Sequence, residues 1–315
     1  MGLGSFISVG RSLDTALERV ELAERLGYEA VYVTHLAARD SLTTLMAYAS
    51  RTERVRLGTG VMPIYSRKAA TTAMSAATVD EFSDHRLVLG LGVSHRPVVQ
   101  AWFDEKIEKP VREMRQYVGI VRSILRGENP PEGGRFRSSF HFMGYEARAD
   151  LPIYIGGLSP GMLRLAGEIA DGVVLWLCVP SYVEEVVVPT VAEGRERAGK
   201  GVEGFDIVAA VPAAVTGERD EARDKLRRNL IPYFHLPFYR AMIERAGFGD
   251  DVAAADEGKP VSDRFLGALA AIGEREDATA SVRRYREAGA TSPCVGAVPR
   301  TDFDATLEAL AGALA

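Results

Sequence analysis

The chain has 315 residues, 47% apolar and 26% charged, with a formal charge of −5 at pH 7. This composition supplies a large core and excludes a disordered chain. Six of the 38 basic residues are lysines and the arginines are scattered through helical patterns, so no basic stripe tracks phosphates and nucleic acid is not an expected partner.

The N-terminal "MGLGSFISVGRSLD" has neither a basic n-region nor a sustained apolar h-region, and nowhere do about 18 apolar residues run together, so no membrane is expected and a cytoplasmic location is. The first predicted strand, "GSFISV", leads into the helix "DTALERVELAERLG", where Asp14 is placed to cap, apolar residues recur at helical spacing and Gly27 ends the run. "AVYVTH", "VRLGTGV" and "RLVLGLGVS" are the next three strands, separated by the helices "SLTTLMAYASRT" and "RKAATTAMSAATVDEFS". The helix "PVREMRQYVGIVRSILRG" precedes an irregular insertion over about 127–150. "LPIYIGG", "GVVLWLCV", "FDIVAAVPAAV" and "SPCVGAV" bring the strands to eight, with helices from near Ser159, Ser181 and Arg219 and a helical insertion over about 230–260. Continuous apolar strands joined by helices require a parallel sheet covered on both faces. Eight such units predict an α/β fold, a single (β/α)8 TIM barrel over 1–315.

A doubly wound nucleotide-binding domain competes with that reading, but its fingerprint is missing: "GLGVSH" has His95 where the third glycine belongs. Glycines instead gather at predicted C-terminal strand ends, the active face of a barrel. "RLGTGVMPIYSR" ends a strand in Gly58 and Gly60 and then reaches Pro63, so a ligand or another backbone is expected to come close there. Gly90, Gly92, Val93 and Ser94 form a second such end, where close approach of cofactor or substrate competes with tight strand-to-helix packing. In "IGGLSPG", Gly156, Gly157 and Leu158 lead to Ser159 as N-cap and Pro160 at the first helical position, which aims backbone N–H groups and a positive helix end at one spot suited to an anion.

His35 and His95 end predicted strands and are the candidates for proton transfer. His85, beside Asp84, falls on the opposite face with a structural role, and His141 and His235 lie in the insertions. Thr34, Tyr65 and Trp176 are candidate substrate-pocket residues. Tyr233, Phe234 and Phe238 could add to its wall, whereas Tyr32 reads as core. Cys178 and Cys294 read as buried free thiols, and there is no H-E-x-x-H, P-loop or C-x-x-C, so no metal is expected.

"VRLGTGVMPIYSR", "LVLGLGVSHRPVV", "PIYIGGLSPGMLRLAGEIADGVVL" and "LPFYRAMIERAGF" together resemble the luciferase-like family of barrel enzymes, in particular its coenzyme F420-dependent oxidoreductases related to methylenetetrahydromethanopterin reductase. The resemblance implies F420 as cofactor, FMN being the alternative, and hydride transfer between the deazaflavin C5 and a small-molecule substrate. An FMNH2-dependent monooxygenase and a non-catalytic flavin-binding barrel are the competing readings. It also implies a cis peptide between Gly60 and Val61 behind the cofactor ring, phosphate contacts from Gly156, Gly157, Leu158 and Ser159, and an active-site histidine at His35, where Thr34 replaces the aspartate usual in relatives. At the position of His95 some relatives use an acidic proton donor. A homodimer is implied as well, with a separate flavin or F420 reductase if the cofactor arrives reduced.

Overall fold

The computed structural model describes residues 2–35 and 37–314. The predicted strands form β1 Gly4–Phe6, β2 Ala30–Val33, β3 Arg56–Thr59, β4 Met62–Pro63, β5 Leu87–Gly92, β6 Ile153–Gly156, β7 Gly172–Trp176, β8 Asp206–Val215 and, after the short β9 Ala271–Gly273, β10 Ser292–Ala297. Among the described residues every pairing is parallel, and β10 pairs with both β8 and β1, which closes an eight-stranded barrel. The third barrel strand is split into β3 and β4 by a bulge at Gly60–Val61, whose peptide bond is cis, as the resemblance implied.

Three local features depart from the sequence reading. The first helix, Leu13–Arg25, is capped by Ser12, whose hydroxyl accepts from the Thr15 N–H, while Asp14 sits in the first turn. The helix Arg96–Phe103 follows β5 directly and was not predicted. β9 was missed because three residues in "ALAAIGE" carry no alternation of their own. They pair only with Ala213–Val215, the overhanging end of the ten-residue β8. The 127–150 insertion carries no helix or strand, as expected.

Side chains alternate across each strand, and the inward set, Ala30, Tyr32, Val88, Tyr154, Val174, Val208 and Cys294, forms a cluster of its own inside the barrel. At the N-terminal end a polar group closes it. Buried Asp206 accepts from the Tyr154 hydroxyl at 2.9 Å, the Ser292 hydroxyl at 2.7 Å and the Thr291 hydroxyl, with Arg56 at 3.5 Å, so the cost of desolvating the carboxylate is offset by several donors. His85 is tied to Asp80 at 2.9 Å on this same side, a structural role. Both thiols are free and buried. With this end closed, the barrel opens at the C-terminal ends of its strands.

Candidate active site

A cavity of about 470 Å³ occupies that open end, lined by the residues that follow the barrel strands. At its centre Val61 projects from the bulge toward the ends of β5 and β6. A side chain on Gly92 would meet Val61 Cγ2 at 2.4 Å, and one on Gly156 would meet it at 3.0 Å. A Cβ on Gly90 would lie 1.9 Å from the Thr59 carbonyl oxygen. What comes close to these glycines is therefore the Gly60–Val61 bulge itself. Gly92 and Gly156 also line the cavity, whereas Gly90 does not, and its assignment to cofactor binding is corrected to support of the bulge.

Gly157, Leu158 and Ser159 line the cavity beside Val93 and Ser94. Ser159 is the N-cap of Pro160–Ile169, its hydroxyl accepting from the Met162 N–H. Tyr182 ties the Leu158 carbonyl back at 2.7 Å, and the Gly157 N–H already donates to Val174 at 3.2 Å. The backbone N–H groups left for an anion here are those of the first helical turn and not that of Gly157. A Cβ on Gly157 would point at Met162, Val173 and Leu163 at 3.4–3.6 Å, so a bulky residue there would disturb packing before it reached a ligand.

Thr34 and His35 line the opposite wall. Thr34 shares a 2.7 Å hydrogen bond with Ser8, another lining residue. His35 Nδ1 lies 3.0 Å from the buried Ser41 hydroxyl and 3.8 Å from the Asp40 carboxylate, which is paired with Arg67. The Ser41 backbone N–H also donates to Nδ1 at 3.4 Å, so Nδ1 is held as an acceptor and the neutral ring carries its proton on Nε2. Burial lowers the His35 pKa below the ordinary histidine value, Asp40 opposes that, and Arg67 adds to it. Ser41 was missed in the sequence; the signal was the Asp40–Ser41 helix start just after a strand-end histidine.

His95 lines the cavity without a carboxylate partner and packs edge-on against Tyr239 and Tyr233 at 5.6 and 6.1 Å between ring centres. Burial lowers its pKa too. Trp176, Tyr233, Phe238 and Tyr239 complete this wall; the aromatic signal was legible at all but Tyr239. Tyr65 does not belong to it. Its hydroxyl donates to buried Glu113, whose carboxylate also meets Arg135, and this anchors the 127–150 insertion, so its assignment to the substrate pocket is corrected. Phe234 likewise turns away to pack on Phe265.

Among the described residues no cluster of His, Cys, Asp or Glu could hold a metal ion, and no helix is long and apolar enough to cross a membrane. A family profile described as luciferase-like monooxygenase matches residues 1–292. The 5,10-methylenetetrahydromethanopterin reductase of Methanolobus tindarius is 34% identical over 255 residues, 79% of this chain and 76% of the relative. A putative coenzyme F420-dependent oxidoreductase of Mycobacterium tuberculosis is 32% identical over 253 residues, 71% of this chain and 72% of the relative. The coenzyme F420-dependent tetrahydromethanopterin reductase of Methanopyrus kandleri superposes with a TM-score of 0.79 at 21% identity, covering 99% and 98% of the two chains, and so shares the fold.

Proposed function

The chain belongs to the luciferase-like monooxygenase family, and from that premise we propose that it is a coenzyme F420-dependent oxidoreductase passing a hydride between the deazaflavin C5 and a small organic substrate. The observation that carries this reading is one cavity lined by Val61 of the bulge, Ser159 at the helix start and His35, whose Nδ1 is engaged by Ser41. The names of the relatives compared above support it.

The residues present fit such a cofactor. Val61 lines the cavity with Gly60, Gly92, Gly156 and Gly296 around it, so a flat ring can lie against Val61. The first turn at Ser159 and Pro160 offers N–H groups and a positive helix end to a phosphate. When bound, F420 supplies the two-electron chemistry at C5. The chain supports it: apolar walls exclude water, His35 Nε2 gives or takes the coupled proton, Ser41 holds the imidazole in place, and His95 packs against the substrate side.

An anaerobic titration of the purified protein with F420 and with FMN, followed by fluorescence, should show F420 bound about tenfold or more tightly, a difference of roughly 1.4 kcal/mol. Tighter FMN binding would move the chain to the monooxygenase reading. Ser159→Asp sharpens the test, because aspartate caps a helix as well as serine does but places a negative charge where the phosphate belongs. We expect unchanged thermal stability and about a tenfold or greater loss of F420 affinity. Unchanged affinity in that titration would remove the phosphate from this helix.

A further inference from the structure

One contact with the helix start at Ser159 comes from outside the cavity. Tyr182 is 2% exposed and is not among the cavity-lining residues, yet its hydroxyl donates to the Leu158 carbonyl at 2.7 Å. Burial pushes its pKa up to about 12, so it stays a protonated donor at neutral pH. The carbonyl it holds belongs to the same planar peptide unit as the Ser159 N–H. That unit is trans, as are all described peptide bonds but Gly60–Val61, so the N–H points away from the carbonyl and from the phenol behind it.

Few donors are left where this N–H lies. Pro160 has no N–H and the Met162 N–H is taken by the Ser159 hydroxyl, so of the groups that open the helix those of Ser159 and Gly161 remain. Were the Leu158–Ser159 peptide to turn over, a carbonyl oxygen would replace one of these two donors and repel an anion. The segment carrying Tyr182 is itself tied to this helix. From Leu177, at φ 61°, it passes through Pro180–Tyr182 into a π-helical turn at Val183–Val187, a rare form that recurs at functional sites. The helix beyond, Val188–Arg197, lies backbone to backbone on Pro160–Ile169: a Cβ on Gly167 would meet the Val191 carbonyl oxygen at 2.4 Å, and one on Gly194 the Arg164 carbonyl oxygen at 2.2 Å. One stretch of chain thus grips the body of the helix and, through Tyr182, the peptide that opens it.

We propose that Tyr182 is a positioning residue for the cofactor phosphate: by holding the Leu158 carbonyl back, it keeps the Ser159 N–H turned toward the anion. This rests on the proposed function in taking a phosphate-bearing cofactor as the ligand of the Ser159 helix start.

Fluorescence titration of the unsubstituted protein and of Tyr182→Phe with two ligand pairs, F420 and its dephosphorylated deazariboflavin core, FMN and riboflavin, separates the phosphate from the ring. The unsubstituted protein should bind the phosphorylated member of a pair about tenfold or more tightly. Tyr182→Phe removes one hydroxyl and keeps the ring, so it should lose about tenfold on that member and nothing on the other. A hydroxyl that served only the packing of its segment would weaken both members alike. That result, unchanged affinity for both members, an unsubstituted protein indifferent to the phosphate, or binding of none of the four would each overturn the proposal. Should Tyr182→Phe not fold, the Ser159 amide resonance of the unsubstituted protein, isotope-labelled at serine, decides: it should move on adding F420 or FMN and stay on adding the unphosphorylated partner, and an unmoved resonance would overturn the proposal. A loss confined to FMN with F420 unbound would count against the F420 reading and leave Tyr182 in its role, whereas F420 bound with equal losses on both members of its pair would do the reverse.

Discussion

His35→Ala is expected to lower kcat by about 10²-fold or more with F420 affinity nearly unchanged, the scale of a lost general acid or base. Geometry separates this residue from His95, the other neutral histidine of the cavity. His35 Nδ1 is engaged by Ser41, with Asp40 close enough to favour the protonated ring, whereas His95 packs edge-on against Tyr233 and Tyr239. His95→Ala should therefore act mainly through KM. The pH dependence supplies a second readout. Burial holds the His35 pKa below its ordinary value and Asp40 pulls it back up. Asp40→Asn retains a side-chain oxygen to cap Thr43 but removes the carboxylate, so the limb of the pH–rate profile due to His35 should move to lower pH. A limb that stays in place, or near-wild-type turnover in His35→Ala, would assign the proton to another group.

How far the sequence reached can be seen at particular residues. The eight barrel strands were legible because continuous apolar runs between amphipathic helices admit few other arrangements. The Ser159 cap was legible because N-cap and proline chemistry is local. The reason for the glycines was not. Gly90, Gly92 and Gly156 are far from Val61 in sequence, and only the barrel's register brings Leu91 and Gly92 alongside β4, so a signal read as ligand approach belonged to a side chain of the chain itself. Tyr65 failed for a similar reason. Its place after a strand end suggested the cavity, but its hydroxyl answers to Glu113, 48 residues away. β9 and the helix Arg96–Phe103 were too short to show a period.

The glycine finding has the largest expected effect on stability. Gly90→Ala should destabilise the fold by more than about 4 kcal/mol, a range reached only by a few mechanisms, of which a buried clash with backbone is one. The added Cβ would lie 1.9 Å from the Thr59 carbonyl oxygen, and Thr59 has little room to yield. Its hydroxyl donates to the Gly90 carbonyl at 2.6 Å, and the next residue is held by the Gly60 N–H bond to Val33 at 2.8 Å. β5 is also fixed on its other side, where Gly90 is in register with Tyr154 of β6. Gly92→Ala offers the contrast. Its Cβ would meet the end of the Val61 side chain, so a cost of about 1–3 kcal/mol is expected, recovered in part by adding Val61→Ala. Denaturant unfolding of the three variants, with F420 titration alongside, separates the two meanings a strand-end glycine can have. A glycine kept for a ligand loses affinity while stability holds. For Gly90 stability should fall first, and a Gly90→Ala protein as stable as the parent would show that the bulge does not require it.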